Sequence, residues 1–294
     1  MTTDLVAQLQ SAVSRVVTPD DPGYDTARTV VAAQVDRRPT AIVQPVDDAE
    51  VGRVVTLARE AGVPLAVRSG GHSLAGHGVV DDGIVLDLGA MRGLDIDPAS
   101  RTAWAEAGVT TGAYTKAAGE HALATGFGDT GTVGVSGITL AGGAGFLARK
   151  HGLAIDNLLA ADIVTADGES RRIDADNHPD LFWAIRGGGG NFGVVTRMQF
   201  RLHDVREFVG GMLLLPATPE VVAGFATAAN AAPDELTTIA MVMTAPPLPF
   251  IPAEHHGKTV VLGLMGYAGP AADAERALAP FRTLATPLAD MVQP

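Results

Sequence analysis

The sequence contains no cysteine among its 294 residues, and this absence limits its chemistry. Without thiols the chain has no structural disulfide, no cysteine-ligated zinc, no iron–sulfur cluster and no thiol nucleophile. Hydrophobic residues make up 47% of the chain and charged residues 18%, so we expect a substantial core without covalent cross-links. The length corresponds to about two domains.

Basic residues are scarce, since 21 Lys and Arg stand against 33 Asp and Glu and give a net charge of −12. Because the basic residues form no cluster, the chain is a poor candidate for binding nucleic acid. The N-terminus has Asp4 and no basic region before an apolar core, so it does not resemble a signal peptide. No apolar run approaches the ~18 residues of a membrane span. We therefore expect a soluble cytoplasmic protein with neither a membrane nor a nucleic-acid partner.

Hydrophobic periodicity and turn residues predict alternating strands and helices. A lead-in over residues 1–37 includes a predicted helix at 4–17. Up to a predicted domain boundary near residues 203–205, the pattern predicts strands at 38–45, 63–67, 83–88, 102–109, 161–166, 169–173 and 194–202, and helices at 47–60, 112–119 and 181–185. Beyond that boundary it predicts strands at 208–215, 236–243 and 258–266, and helices at 218–231 and 271–284.

A glycine loop, Arg68–Ser73 with the sequence RSGGHS, follows the predicted strand at 63–67. Two adjacent glycines allow successive backbone N–H groups to point into one concavity, which suits an anion such as pyrophosphate. Arg68 could add charge-assisted hydrogen bonds to that anion. The alternative is a hairpin-like turn in which His72 is an ordinary loop histidine. The loop alone leaves both interpretations open, because a single glycine motif is weak evidence.

A second glycine segment, residues 126–145, contains eight glycines. Such density is typical of backbone that runs close to a flat ligand. Thr132, Ser136 and Thr139 offer hydroxyl groups there without filling the space. The alternative is a low-complexity stretch, which the well-formed flanking patterns disfavour.

Four motifs occur in a fixed order over about 165 residues. They are RSGGHS at 68–73, VGVSG and LAGGAGF within 133–146, HGLAIDNLLAADIVTADG at 151–168, and DLFWAIRGGGGNFGVVT at 180–196. With these motifs the chain resembles the FAD-linked oxidases that have a PCMH-type (vanillyl-alcohol-oxidase-like) FAD-binding domain, in the berberine-bridge-enzyme-like branch. The resemblance implies an α+β fold. A PCMH-type domain of two α/β subdomains would occupy residues 38–205, and an incomplete substrate domain with an antiparallel sheet and helices would occupy 206–294.

The resemblance implies FAD as the cofactor, held covalently by His72 through the flavin 8α-methyl group. A neutral imidazole nitrogen is a competent nucleophile for such a link near neutral pH. Many relatives have a second link from a cysteine, but Thr130 stands at that position, so one covalent link is the maximum. No metal is expected. The residues that the resemblance assigns to FAD are Arg68, Ser69, Gly70, Gly71, His72, Ser73, Thr132, Val133, Gly134, Ser136, Gly137, Thr139, Gly142, Gly143, Gly145, Gly193, Val194 and Val195.

The expected activity is that of an FAD-dependent oxidase. Such an enzyme removes hydride from a C–H bond beside an alcohol or amine of a small-molecule substrate and passes the electrons to O2, giving H2O2. Three alternatives stay open: a dehydrogenase of the same fold with another electron acceptor, a catalytically silent truncated flavin-binding chain, and a nicotinamide-dependent Rossmann enzyme. The last is disfavoured, because this sequence has no G-x-G-x-x-G motif between an N-terminal strand and a helix. The relatives are longer, so the catalytic base is expected in the part that this chain lacks, and none is assigned.

Overall fold

Three large β-sheets, each packed against helices, form the framework of the chain. The computed structural model describes residues 2–249 and 251–294. Its helices are α1 (Thr2–Ala12), α2 (Tyr24–Arg28), α3 (Asp48–Ala61), α4 (Thr111–Gly119), α5 (Val135–Leu140), α6 (Ala148–His151), α7 (Pro179–Gly188), α8 (Pro219–Ala231) and α9 (Ala271–Arg282). Its strands are β1 (Val16–Val17), β2 (Ala41–Val43), β3 (Leu65–Arg68), β4 (Ile84–Asp87), β5 (Leu94–Asp97), β6 (Thr102–Glu106), β7 (Leu123–Ala124), β8 (Leu158–Val164), β9 (Ser170–Asp174), β10 (Val194–Arg201), β11 (His203–Asp204), β12 (Val209–Pro216), β13 (Leu236–Thr244), β14 (Thr259–Tyr267) and β15 (Ala289–Asp290).

The first sheet has the strand order β1-β2-β4-β3, and β2, β4 and β3 run parallel. Helix α3 makes the crossover from β2 to β3. Its N-cap, Asp47, accepts a hydrogen bond from the backbone N–H of Glu50 at 2.8 Å, and Gly62 ends it with a left-handed φ of 64°. Parallel strands place their carboxyl ends at one edge, and the glycine loop leaves β3 at that edge. The hairpin interpretation of the glycine loop is therefore wrong.

The second sheet has the order β5-β6-β10-β8-β9 and is antiparallel throughout. Helices α4, α5 and α7 cover its buried face. The core there contains three aromatic rings in edge-to-face contact, with 4.8 Å between the centroids of Tyr114 and Phe127 and 5.2 Å between those of Phe127 and Phe200. This sheet and the parallel one form the two subdomains that the sequence predicts.

The third sheet has the order β13-β14-β12-β15 and is also antiparallel. Helices α8 and α9 pack on one of its faces, where Phe225 and Phe281 are buried. Two side chains from α6 reach this unit: Arg149 donates to the carbonyl oxygen of Ala232 at 2.7 Å, and Lys150 donates to that of Ala268 at 2.8 Å. The predicted α+β fold with an antiparallel sheet and helices in 206–294 is confirmed. The boundary near 203–205 stays a prediction.

Several local predictions differ from the structure. The helix predicted at 4–17 ends at Ala12, and Val16 and Val17 instead pair with Val43 and Ile42 as strand β1. These two β-branched residues gain a partner strand that no local pattern reveals. Helices α2 and α5 and strand β5 were not predicted. Within the described residues, no helix is long and apolar enough to cross a membrane.

Candidate cofactor site

The glycine loop packs directly, backbone against backbone, on the start of α5. A Cβ atom on Gly70 would lie 2.5 Å from the backbone nitrogen of Gly134, and a Cβ atom on Gly134 would lie 1.9 Å from Oγ of Ser69. Only glycine fits at both positions, because real Cβ contacts do not approach so closely. The two predicted glycine regions therefore meet, and each requires glycine where they touch.

Three of the predicted segments converge on the backbone of Ala107. Its carbonyl oxygen accepts hydrogen bonds from the hydroxyl of Ser69 and, at 3.1 Å, from that of Ser136. Its N–H donates to the carbonyl oxygen of Thr196 at 2.8 Å, next to the predicted residues 193–195. Ala107 was not predicted from the sequence, because a backbone carbonyl leaves no signature in the side-chain pattern.

The glycine loop offers backbone donors. No acceptor within residues 2–249 and 251–294 receives a hydrogen bond from the N–H groups of Gly70, Gly71, His72 or Ser73. Gly71 has a φ of 69°, and its carbonyl accepts from the N–H of Val31 at 3.1 Å, which fixes the loop from the other side. Unpaired N–H groups on such a turn form a concave anion site.

His72 lies half-buried in this loop. Its Nε2 atom is 3.0 Å from the hydroxyl oxygen of Thr132, a hydrogen-bonding distance. The structure therefore brings together the histidine that the resemblance assigns to flavin attachment and a hydroxyl of the second glycine segment.

The side chain of Arg68 is held at the end of β3 by other residues of the chain. Its side chain is only 7% exposed, and its Nη2 atom donates to the carboxylate of Asp87 at 2.9 Å and to the carbonyl of Ala27 at 2.6 Å. The same carboxylate accepts from the side chain of Gln44 at 3.0 Å. The Nη2 atom is thus engaged by the protein itself, whereas the buried Nη1 atom has no partner among the described residues, so the predicted contact of Arg68 with an anion stays a prediction.

A cavity of about 1020 Å³ opens beside the glycine loop. Four predicted residues, 68–71, line it, together with Gln44 at the end of β2, Asp87 at the end of β4, and Arg92. The volume is in the range of pockets that hold cofactors. Gln44, Asp87 and Arg92 were not predicted from the sequence, although the rule that ligands bind at the carboxyl ends of parallel strands could have identified them.

Other predicted cofactor residues of the second glycine segment are buried or closely packed within the protein. Ser136 and Thr139 are buried in α5. A Cβ atom on Gly143 would lie 2.6 Å from that of Ala154, and one on Gly145 would lie 2.7 Å from the nitrogen of Gly128. These two glycines therefore allow close packing inside the second subdomain, whatever ligand they also face.

The segment that enters β10 also depends on close packing. A Cβ atom on Gly193 would lie 2.5 Å from the carbonyl oxygen of Val164, and Val194 and Val195 are buried. The glycines at 187–190 lie at the end of α7, where the backbone at Gly187 is not helical, and in the 3-10 turn Gly189–Phe192. Among the described residues, no group of three or more His, Asp or Glu side chains is placed to hold a metal ion.

Comparison with known proteins agrees with this geometry. Residues 39–174 match the family described as FAD binding domain. (R)-6-hydroxynicotine oxidase of Paenarthrobacter nicotinovorans is 34% identical over 283 residues, which cover 96% of this chain and 61% of that protein. The crystal structure of 6-hydroxy-D-nicotine oxidase from Arthrobacter nicotinovorans is similar with a TM-score of 0.87 at 33% identity, over 96% of this chain and 61% of that one. Physcomitrella patens BBE-like 1 gives a TM-score of 0.85 at 29% identity, with the same two coverages.

A parallel unit that ends in a glycine loop, joined to an antiparallel five-stranded sheet, is an FAD-binding domain of the PCMH type. Over most of its length the chain is similar to FAD-linked oxidoreductases that carry this domain, among them a berberine-bridge-enzyme-like protein. It spans 61% of the length of the relatives described above. FAD is the cofactor of this domain, and the unpaired N–H groups of the glycine loop fit its pyrophosphate.

Proposed function

We propose that this chain binds FAD and belongs to an oxidase that acts on a small molecule with a C–H bond beside an alcohol or amine. Bound FAD supplies the chemistry: it takes hydride from the substrate and passes two electrons to O2, giving H2O2. The observation that carries this proposal is the convergence of the glycine loop, the start of α5 and the start of β10 on Ala107. The relatives, which are oxidases by name, support the activity.

The chain's own residues would hold the cofactor at several points. We propose that the N–H groups of residues 70–73 bind the pyrophosphate, because they have no protein acceptor in the described part of the chain. The second glycine segment would lie along the flavin, and residues 193–195 would contact the adenine end. The cavity beside the loop provides space for the bound cofactor.

We further propose that His72 carries the flavin covalently. His72 lies in the glycine loop beside the proposed pyrophosphate site, and its ring forms a hydrogen bond with Thr132. Thr130 cannot form the thioether of the second link found in many relatives, and the sequence has no cysteine to replace it. A single histidyl link is therefore the proposed state. A cytoplasmic location also stays a prediction, and fractionation of the source cells is its test.

Reoxidation of the reduced cofactor tests the oxidase activity. The FAD-loaded protein would be photoreduced without oxygen and then mixed with air-saturated buffer in a stopped-flow instrument. Fast return of the oxidised flavin spectrum with one equivalent of H2O2 is the expected result. Slow return in air, with fast return on adding a quinone or dye acceptor, would favour the dehydrogenase. Failure to take up FAD at all would favour the catalytically silent chain.

A further inference from the structure

The hydrogen bond between His72 and Thr132 joins residues that are 60 positions apart in the chain. Its geometry does not depend on the two side chains alone. The Gly70–Gly134 contact holds the two backbones against each other immediately beside it. The backbones that carry the two side chains are therefore held close together, while the hydrogen bond itself is exposed to solvent.

An imidazole can use only one nitrogen as a nucleophile at a time. In the neutral ring one nitrogen carries the proton and the other carries the free lone pair, and the hydrogen bond made by the protonated nitrogen selects the tautomer. If the hydroxyl of Thr132 accepts from Nε2–H, the lone pair lies on Nδ1. Among the described residues no hydrogen bond is formed by Nδ1 of His72, so that atom is available to react.

We propose that Thr132 is a positioning residue for covalent flavin attachment, because its hydroxyl accepts a hydrogen bond from Nε2–H of His72 and so presents Nδ1 to the flavin. This inference rests on the proposed flavin link at His72. A bond forms between Nδ1 and the 8α carbon, while one 8α C–H bond and the imidazole N–H bond are lost. The two electrons and two protons reduce the flavin, and O2 reoxidises it with release of H2O2.

A hydroxyl group suits both stages of this step. As Nδ1 forms its bond, the ring becomes positively charged, and the Nε2–H group becomes a stronger donor to the oxygen of Thr132. When Nε2 then loses its proton, the same hydroxyl rotates and donates to the new lone pair. Valine has nearly the shape of threonine but can do neither, whereas serine can do both.

The test compares attachment in three variants with the wild type. Thr132→Val removes the hydroxyl, Thr132→Ser keeps it, and Thr130→Val makes the same change two residues away, where the hydroxyl contacts only Asp129 among the described residues. Flavin-free protein would be incubated with FAD, and two quantities would be followed: the total bound flavin and the share retained in the acid-precipitated protein. We expect all four proteins to take up FAD, and we expect the attached share of that bound flavin to grow more slowly, on the order of 10-fold or more, in Thr132→Val only.

Three results would overturn the inference. The first is attachment in Thr132→Val at the rate of the wild type. The second comes from the wild type alone and is independent of how the variants fold: NMR of the isolated flavinyl peptide would show the 8α carbon bonded to Nε2 instead of Nδ1. A wild type that binds FAD but never attaches it would also reject the inference while leaving FAD binding intact. A wild type that binds no FAD would reject the proposed function itself.

Discussion

The guanidinium group of Arg68 lies 2.9 Å from the carboxylate of Asp87, where strands β3 and β4 end side by side. Both side chains are nearly buried, with 7% and 12% of their surfaces exposed. The same carboxylate also accepts hydrogen bonds from the side chain of Gln44 and the backbone of Gly89. The pair therefore joins the ends of β2, β3 and β4 directly beneath the glycine loop.

Replacing Asp87 by alanine should strongly destabilise the protein. The change leaves the buried guanidinium of Arg68 without its counter-charge, and breaking a buried pair on one side costs about 3–5 kcal/mol. We expect the free energy of unfolding, measured by urea titration, to fall by about that amount. Asp95→Ala is the control, because Asp95 is exposed on β5. Equal stability of the two variants would contradict the structural role assigned to the pair.

Replacing Gly134 by alanine should disrupt the contact between the glycine loop and α5. The new Cβ atom would lie 1.9 Å from the hydroxyl oxygen of Ser69, so the two backbones must separate. We expect a loss of about 1–3 kcal/mol in the free energy of unfolding and a loss of bound FAD. Gly119→Ala in α4, where a Cβ atom meets nothing within 4 Å, should keep both. Normal FAD binding by Gly134→Ala would show that this contact does not shape the site.

A stacked histidine pair connects α6 to strand β11. The rings of His151 and His203 are 3.9 Å apart between centroids and inclined by 11°. The side-chain nitrogen of Asn157 donates to the carbonyls of His151 and Leu153, so its oxygen faces His203 and accepts from Nε2 at 2.6 Å. The stack is therefore built for neutral rings with a defined tautomer at His203.

Burial makes this pair sensitive to acid. Desolvation is the main cause that lowers the pKa of His203, to about 4, with smaller contributions from His151 and Arg201, while Asp204 opposes them. Desolvation also lowers the pKa of the partner ring of His151. Two charged groups also act on His151. Lys150 in α6 lowers its pKa, and Glu235, which directly precedes β13, raises it.

Stability should therefore fall with pH below about 6.5. A free histidine has a pKa near 6.5, so between that pH and about 4 the unfolded chain binds more protons than the folded one. The contribution of His203 is fully present above this window and is lost as pH falls through it. We expect a loss of about 1–2 kcal/mol, since partial solvent exposure reduces the effect. In His203→Gln this part of the pH profile should flatten, and profiles that run parallel would contradict the prediction.

Arg149 should hold the third sheet (β12–β15) and its helices α8 and α9 against the FAD-binding domain. Its guanidinium donates to the carbonyls of Ala229 and Ala232 at the end of α8. Removing these charge-assisted bonds in Arg149→Ala should weaken the contact by about 1–2 kcal/mol and speed limited proteolysis near residues 203–208. Arg276→Ala is the control, because that side chain is 83% exposed and pairs within α9. Unchanged cleavage would contradict this role and the predicted boundary.

The sequence predicted the helices and strands whose start, end and buried face are all determined by neighbouring residues. Helix α3 was predictable because its N-cap, its apolar face and the terminating Gly62 all lie within one short stretch. Helix α5 was not, because Val135, Gly137 and Thr139 are poor helix formers, and burial of this segment stabilises it instead. The structural context, not the propensity of its residues, decides its conformation.

The site was predictable as a set of segments but not as a set of contacts. The motifs identified the glycine loop and the second glycine segment, and glycines in both segments allow the close backbone contact between Gly70 and Gly134. The partner of Arg68 was not predictable, since Asp87 is 19 positions away and meets it only through the parallel register of β3 and β4. The role of Ala107 depends on backbone atoms that every residue has.

Colour and acid stability of the purified protein test the central claim most directly. An absorbance spectrum would be recorded before and after acid precipitation, for the wild type and for His72→Ala. We predict a yellow wild type whose flavin stays in the precipitate, and a variant whose flavin is released to the supernatant. A colourless wild type that takes up no added FAD would contradict the account.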